Sequence, residues 1–317
     1  MNILSGIAVA AALAFAPAAA SAQQGGPPPS NPKVEIWSQN GDGGYRPAKT
    51  KQYAAIRDYA VRRHILEEYA AFMAPLKLPS TLGIFMEECD GGFGASPHYS
   101  PGQHAIDMCY QFVALAGLVY DKAVAPYQAA NPGVLPVKLS RQAFIASLFA
   151  SVVLHETGHA VFDLLDVPIF GREEDAADEM SSIIAAQFQP KVEDALVWST
   201  ALMWFGMSNL LSKMDAQTQA KVKQNGGKLP CGVDPFCKFS DVHGNAEQRF
   251  FNTLCMAYGS NPDHYAGLAR FLPKDRDCKA EYARVADAFA KTVWPYVDKA
   301  KMKEVQSGTW LLPQEMR

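Results

Sequence analysis

His155-Glu156-Thr157-Gly158-His159 sets two imidazoles four residues apart, with a carboxylate beside the first. In a helix, positions i and i+4 project from one face and can share a metal ion. A glutamate next to the first ligand can then take a proton from a water that the ion has acidified, as in a metal-dependent hydrolase. The other reading is a pair of core histidines beside a surface glutamate. It leaves three polar side chains on an almost wholly apolar helix, each needing its own partner. One ion accounts for all three, and Zn2+, one per chain, is the expected cofactor.

A catalytic zinc takes a third protein ligand and keeps one position open for water. Five acids follow in sequence: Glu173, Glu174, Asp175, Asp178 and Glu179. Glu174 is the preferred ligand because Asp178 lies four residues later on the same face, where it can accept a hydrogen bond from a ligand imidazole. Asp175 and Glu179 share that spacing, and the whole cluster also suits the positive end of a helix dipole. For the donor that steadies a developing oxyanion, His243, Arg249 and Tyr258 are candidates, and His243 is preferred. Gly158 has two readings, close approach of another backbone or simple tolerance. No GxSxG elbow, P-loop or strand-to-helix GxGxxG motif occurs, so those chemistries drop out.

The element that must carry the histidines is RQAFIASLFASVVLHETGHAVFDLLD, residues 141–166, apolar nearly all round and therefore a buried helix. Pro168 and Gly171 end it, and Gly171 lets the chain turn back so that a second helix, beginning REEDAADEM, lies beneath the first. Residues 53–74 read as an amphipathic helix stopped by Pro75 and Pro79. TLGIFMEEC and HAIDMCYQF read as strands flanking the turn-rich GGFGASPHYSPGQ, hence a hairpin clasped by Cys89 and Cys109. Residues 192–214, 246–256 and 281–291 read as helices. The expectation is an α+β, zincin-like fold: a small sheet packed on the motif helix, with a mainly helical C-terminal lobe. A single domain over 51–317 would comprise lobes 51–170 and 171–317.

The 317 residues are 49% hydrophobic and 19% charged, enough for a sizeable core, and the net charge of -3 with no basic run argues against nucleic acid as a partner. Residues 1–22 read as a secretory signal cleaved after Ala22, and the Gln-, Gly- and Pro-rich 23–50 as a loose tether. The destination is then periplasmic or secreted, without stable membrane insertion. Six cysteines and no CxxC fit an oxidising compartment. Their order suggests local pairs: Cys89 with Cys109, Cys231 with Cys237, and Cys255 with Cys278. A zinc knuckle is disfavoured by the spacing of Cys231 and Cys237.

HETGHAVFDLLDVPIFGREEDAADEM resembles a gluzincin-like bacterial family described as putative metallopeptidases, whose members pair an HExxH helix with a GREEDAAD segment. LKLP, EEC and IDMCYQF resemble its cysteine-bracketed hairpin, and EQRFFNTLCMAYGS and CKAEY its C-terminal part, so the likeness covers most of the mature chain. It implies that Glu156 is catalytic and that His155, His159 and an acid of the EED segment bind zinc. The loop GGFGASPHYSPGQH departs from the family's Asn-Ala-Phe-Tyr-Asp-Pro turn, so no role passes to Tyr99. By analogy with zincins, IDMCYQF would be the edge that pairs with extended substrate. The expected activity is hydrolysis of peptide or protein substrates. The alternatives are a zinc amidase on cell-wall peptides and a non-catalytic periplasmic binding protein.

Overall fold

In the computed structural model, which describes residues 33–90, 95–212 and 243–307, the chain opens with strand β1, Val34–Ile36. Thr50 caps α1, Lys51–Arg62, by accepting from the Tyr53 amide, and α2 follows over Ile65–Phe72. The single helix expected over 53–74 is therefore two. His64 sits in the left-handed region at φ 52°, where an α-helix cannot continue. The expected tether also ends early, because β1 joins the sheet and Tyr45 is buried.

Strands β2 (Leu82–Glu87), β3 (His98–Ser100) and β4 (Ala105–Cys109) complete a four-stranded sheet in the order β1-β2-β4-β3. β2 runs parallel to both β1 and β4, with Ile84 opposite Ile106, whereas β3 is antiparallel to β4, with Tyr99 opposite Ile106. The predicted hairpin of β2 with β4 is thus replaced by a parallel pair. The long connection gives room for the crossover a parallel pair needs and carries β3, which takes the other side of β4. β4 is interior and the edges are β1 and β3, correcting the expectation that IDMCYQF would be the edge strand. It also ends sooner, because Tyr110 starts α3, Tyr110–Val119. The Cys89–Cys109 disulfide forms as expected but ties the ends of two parallel neighbours.

A π-turn over Tyr120–Val124 leads to α4, Ala125–Ala130, and then to α5, Arg141–Leu164, capped by Ser140, which accepts from the Ala143 amide. α5 is the only described helix long and apolar enough to cross a membrane, and it is mostly buried inside the protein. It packs between β3 and β4 on one side and α3, α6 (Glu173–Ala185) and α7 (Pro190–Ser212) on the others. Phe149, Val153 and Val161 join the cluster under the sheet, and Phe144 and Leu148 the cluster among the helices. That two-sided burial explains a helix without a polar face. Each fully buried Leu or Phe contributes about 2 kcal/mol.

The remaining described α-helices are α8 (Ala246–Ser260), α9 (Cys278–Thr292) and α10 (Lys299–Ser307), with short 3-10 turns over Ala266–Arg270 and Trp294–Tyr296. Cys255 and Cys278 join α8 to α9 as expected, while Cys231 and Cys237 lie outside the described residues.

Candidate metal centre

The 24-residue helix α5 presents His155 and His159 one turn apart, with Nε2 to Nε2 at 3.3 Å. α6 crosses beneath it, and what permits the close approach is Gly158. A Cβ there would stand 3.1 Å from the Cα and 3.2 Å from the Cβ of Ala177. Of the two readings of this glycine, close backbone approach is the one the structure supports. Thr157 turns to the opposite face, where its Oγ1 donates to the Val153 carbonyl and lies 2.9 Å from the Tyr69 hydroxyl. The two middle residues of the motif thus serve packing.

The acids at the start of α6 divide their work. Glu174 Oε2 lies 3.0 Å from His155 Nε2 and 3.5 Å from His159 Nε2. Asp178 accepts from His155 Nδ1 at 2.9 Å, and Glu173 accepts from His159 Nδ1 at 2.7 Å. Each imidazole is thereby oriented through its outer nitrogen, leaving Nε2 for the shared point. The two other acids face elsewhere. Asp175 pairs with Arg172, and Glu179 sits in a desolvated acidic setting near Glu281 and Asp175 that pushes its carboxyl up to about 7. The orienting role of Glu173 was missed in the sequence, where it reads only as one of several competing acids.

The spacing of the donor atoms fits a divalent ion. Bonds of about 2.0–2.1 Å to a tetrahedral zinc place ligand atoms roughly 3.3 Å apart, and the three atoms here lie 3.0 to 3.5 Å from one another. Nitrogen and carboxylate donors are the types zinc takes. Cys89, Asp107 and Cys109 also lie close together, but the disulfide occupies both sulfurs.

The electrostatics match a site built for positive charge. Burial alone would lower His155, but Asp178 and Glu174 outweigh it and raise its pKa to about 9. Burial would raise Asp178, but Arg249 and His155 hold it at about 2. Glu174 is likewise raised by burial yet held far below the usual carboxylate range by His155, His159 and His243. Glu156 is buried, and desolvation raises its pKa against the pull of the two histidines and the Tyr99 backbone N–H.

His243 reaches the same place from outside the helix pair, with Nε2 2.9 Å from Glu174 Oε2. It lines the cleft with His155, Glu156, His159 and the β3 residues His98 and Tyr99. The two other expected oxyanion donors are not available there. Arg249 is buried, donates to both oxygens of Asp178 at 2.7 and 2.6 Å, and lies 3.9 Å over the Trp204 ring. Tyr258 packs in the helical core cluster, with the Lys279 ammonium 5.9 Å from its ring. Tyr99, given no role from sequence, clamps the edge strand to α5 by donating from its hydroxyl to Asp163 at 2.6 Å.

A family model described as "Putative metallopeptidase" matches residues 45–292 of the chain. No curated protein and no solved structure matches it.

Proposed function

The chain belongs to that metallopeptidase family, and from this premise we propose a zinc-dependent peptidase in which His155, His159 and Glu174 hold the ion and Glu156 is the general base. The observation that carries the proposal is the convergence of three donor atoms, 3.0 to 3.5 Å apart, beside a buried glutamate in an open cleft.

Zinc held there would acidify a water and polarise the scissile carbonyl. Glu156 would serve as general base toward such a water and then as general acid toward the leaving amine; a carboxyl raised by burial suits both tasks. The Tyr99 backbone N–H holds the Glu156 carboxylate in place. His243, which lines the cleft together with Glu156, donates to the oxyanion as it forms. Extended substrate lies along β3, the free edge of the sheet that lines the same cleft. The two disulfides among the described residues favour an oxidising compartment, in keeping with an exported enzyme.

The test is a protease assay on zinc-loaded wild type and Glu156→Gln, with bound metal measured in both. The expected result is equal zinc content and a loss of activity on the order of 10²–10⁴-fold. Equal activity in the two proteins would remove Glu156 from the mechanism. Zinc binding without activity in either would favour a binding protein. Cleavage confined to cell-wall peptides would favour an amidase.

A further inference from the structure

Beside the metal centre a cavity of about 120 Å³ opens between α5, α6, α7 and α8, with Ser96 and Pro97 at the start of β3 also on its wall. α5 lines it with Leu148, Ser151, Val152 and His155, the i, i+3, i+4, i+7 face that runs directly into the metal site. Leu196 and Val197 close it from α7 and Phe112 from α3. Glu156 and His243 stand at the same cavity, so it meets the cleft at the position of the chemistry.

Several polar side chains also line this cavity, yet most are already committed. Ser151 donates to the Ser147 carbonyl at 3.0 Å, Ser182 to that of Asp178 at 2.9 Å, and Thr253 to that of Arg249 at 2.9 Å. Ser181 reaches the Ser151 carbonyl at 3.4 Å. With their hydroxyls turned back onto backbone carbonyls, these residues show the cavity their methylene and methyl groups. The Asp178 carboxylate on the wall is taken up by Arg249 and by His155 Nδ1, and Trp204 covers the guanidinium. A charged or hydrogen-bonding side chain entering here would lose its water and find few free partners besides the Trp204 indole N–H. Size works in the same direction: an apolar cavity of about 150 Å³ takes benzene, and one of about 120 Å³ is tighter for a phenyl ring than for an aliphatic side chain.

We propose that this cavity is the specificity pocket of the enzyme and accepts a branched aliphatic side chain of valine to leucine size from a residue flanking the scissile bond, excluding aromatic and charged ones. The proposal rests on the metallopeptidase reading of the neighbouring site.

The experiment uses zinc-chelating dipeptide hydroxamates that differ only in one side chain, with binding to the zinc-loaded protein measured by calorimetry. The isobutyl probe should bind about tenfold more tightly than the benzyl and carboxyethyl probes. Thr200, which also lines the cavity, provides the control. Thr200→Leu should abolish the isobutyl advantage, and Val152→Ala, which enlarges the cavity, should narrow the gap between isobutyl and benzyl. Equal or tighter binding of the benzyl or carboxyethyl probe, no binding by any probe, or an unchanged ranking in both variants overturns the proposal. Because binding is read without turnover, the expected ranking in a protein that cleaves no peptide would refute the peptidase reading and leave the pocket standing.

Discussion

Asp178 accepts a hydrogen bond from His155 Nδ1 at 2.9 Å, although the two residues come from different helices and are 23 positions apart. Arg249, from a third helix, grips both oxygens of the same carboxylate. The first histidine of the motif is thus held by a chain of contacts running through α5, α6 and α8. Losing a partner that orients a ligand histidine typically costs 10–100-fold in metal affinity. Asp178→Asn should weaken zinc binding by about that factor in a competitive chelator titration, with the fold intact by circular dichroism. Unchanged affinity would show that Asp178 does not orient the ligand.

Glu173 makes the equivalent contact to His159 from a more exposed position, with 55% of its side chain open to solvent. Water can replace it in part, so Glu173→Gln should weaken zinc binding by less than Asp178→Asn, roughly threefold to tenfold. The same titration checks the order of the two variants, and a reversed order would contradict the account.

Gly158→Ala sets two effects against each other. Alanine gains about 1 kcal/mol of helix propensity, but its Cβ would meet the Cα of Ala177 at 3.1 Å, a backbone atom that cannot swing away. Overpacking of this kind costs about 1–3 kcal/mol, so the expected result is a net loss on the order of 1 kcal/mol in denaturant unfolding. Adding Ala177→Gly does not relieve the backbone contact, so a full rescue by that change would show the clash to be with the methyl alone.

Asp107 gives a pH dependence. Desolvation and the neighbouring Glu87 raise its carboxyl to about 7. A carboxyl raised in the folded state destabilises it increasingly as pH climbs from the unfolded value of about 4, and the cost levels off above pH 7. Asp107→Asn, which keeps the shape and removes the charge, should raise the melting temperature at pH 8 by about 3 °C, for roughly 1 kcal/mol, and change it little at pH 4. A pH-independent shift in thermal scans would rule this out.

The Cys255–Cys278 bridge closes a loop with a sequence separation of 23 between α8, which carries Arg249, and α9. Replacing both cysteines by serine should cost about 3 kcal/mol of stability on the chain-entropy account. Urea midpoints of the oxidised wild type and the double variant measure it.

Much of the centre was legible because it is local. HExxH places two imidazoles and a carboxylate within one turn and a half of a single helix, and helical periodicity alone aligns the imidazoles. The apolar run over 141–166 identified that helix, and Pro168 with Gly171 marked where it stops. The pairing of Cys89 with Cys109 and of Cys255 with Cys278 was also readable from their order along the chain.

Contacts between elements were not legible in the same way. Glu173 and Glu174 adjoin in sequence, and only the angle at which α6 crosses α5 directs one to the outer nitrogen of His159 and the other to the inner nitrogens of both histidines. Arg249 read as a free donor until the packing of α8 against α6 placed it on Asp178. Strand composition marked β2 and β4 but not their relative direction, because pairing partners are selected by the whole sheet.

The amino-acid sequence by itself determined the ligand chemistry and the helices that carry it, since side-chain type and period are properties of the chain read residue by residue. Which acid meets the inner nitrogens of the two histidines, which strand lines the cleft and where a cavity opens beside it were decided only when separate elements came within contact distance. Those outcomes depend on crossing angles, register and steric fit, which one-dimensional spacing does not encode.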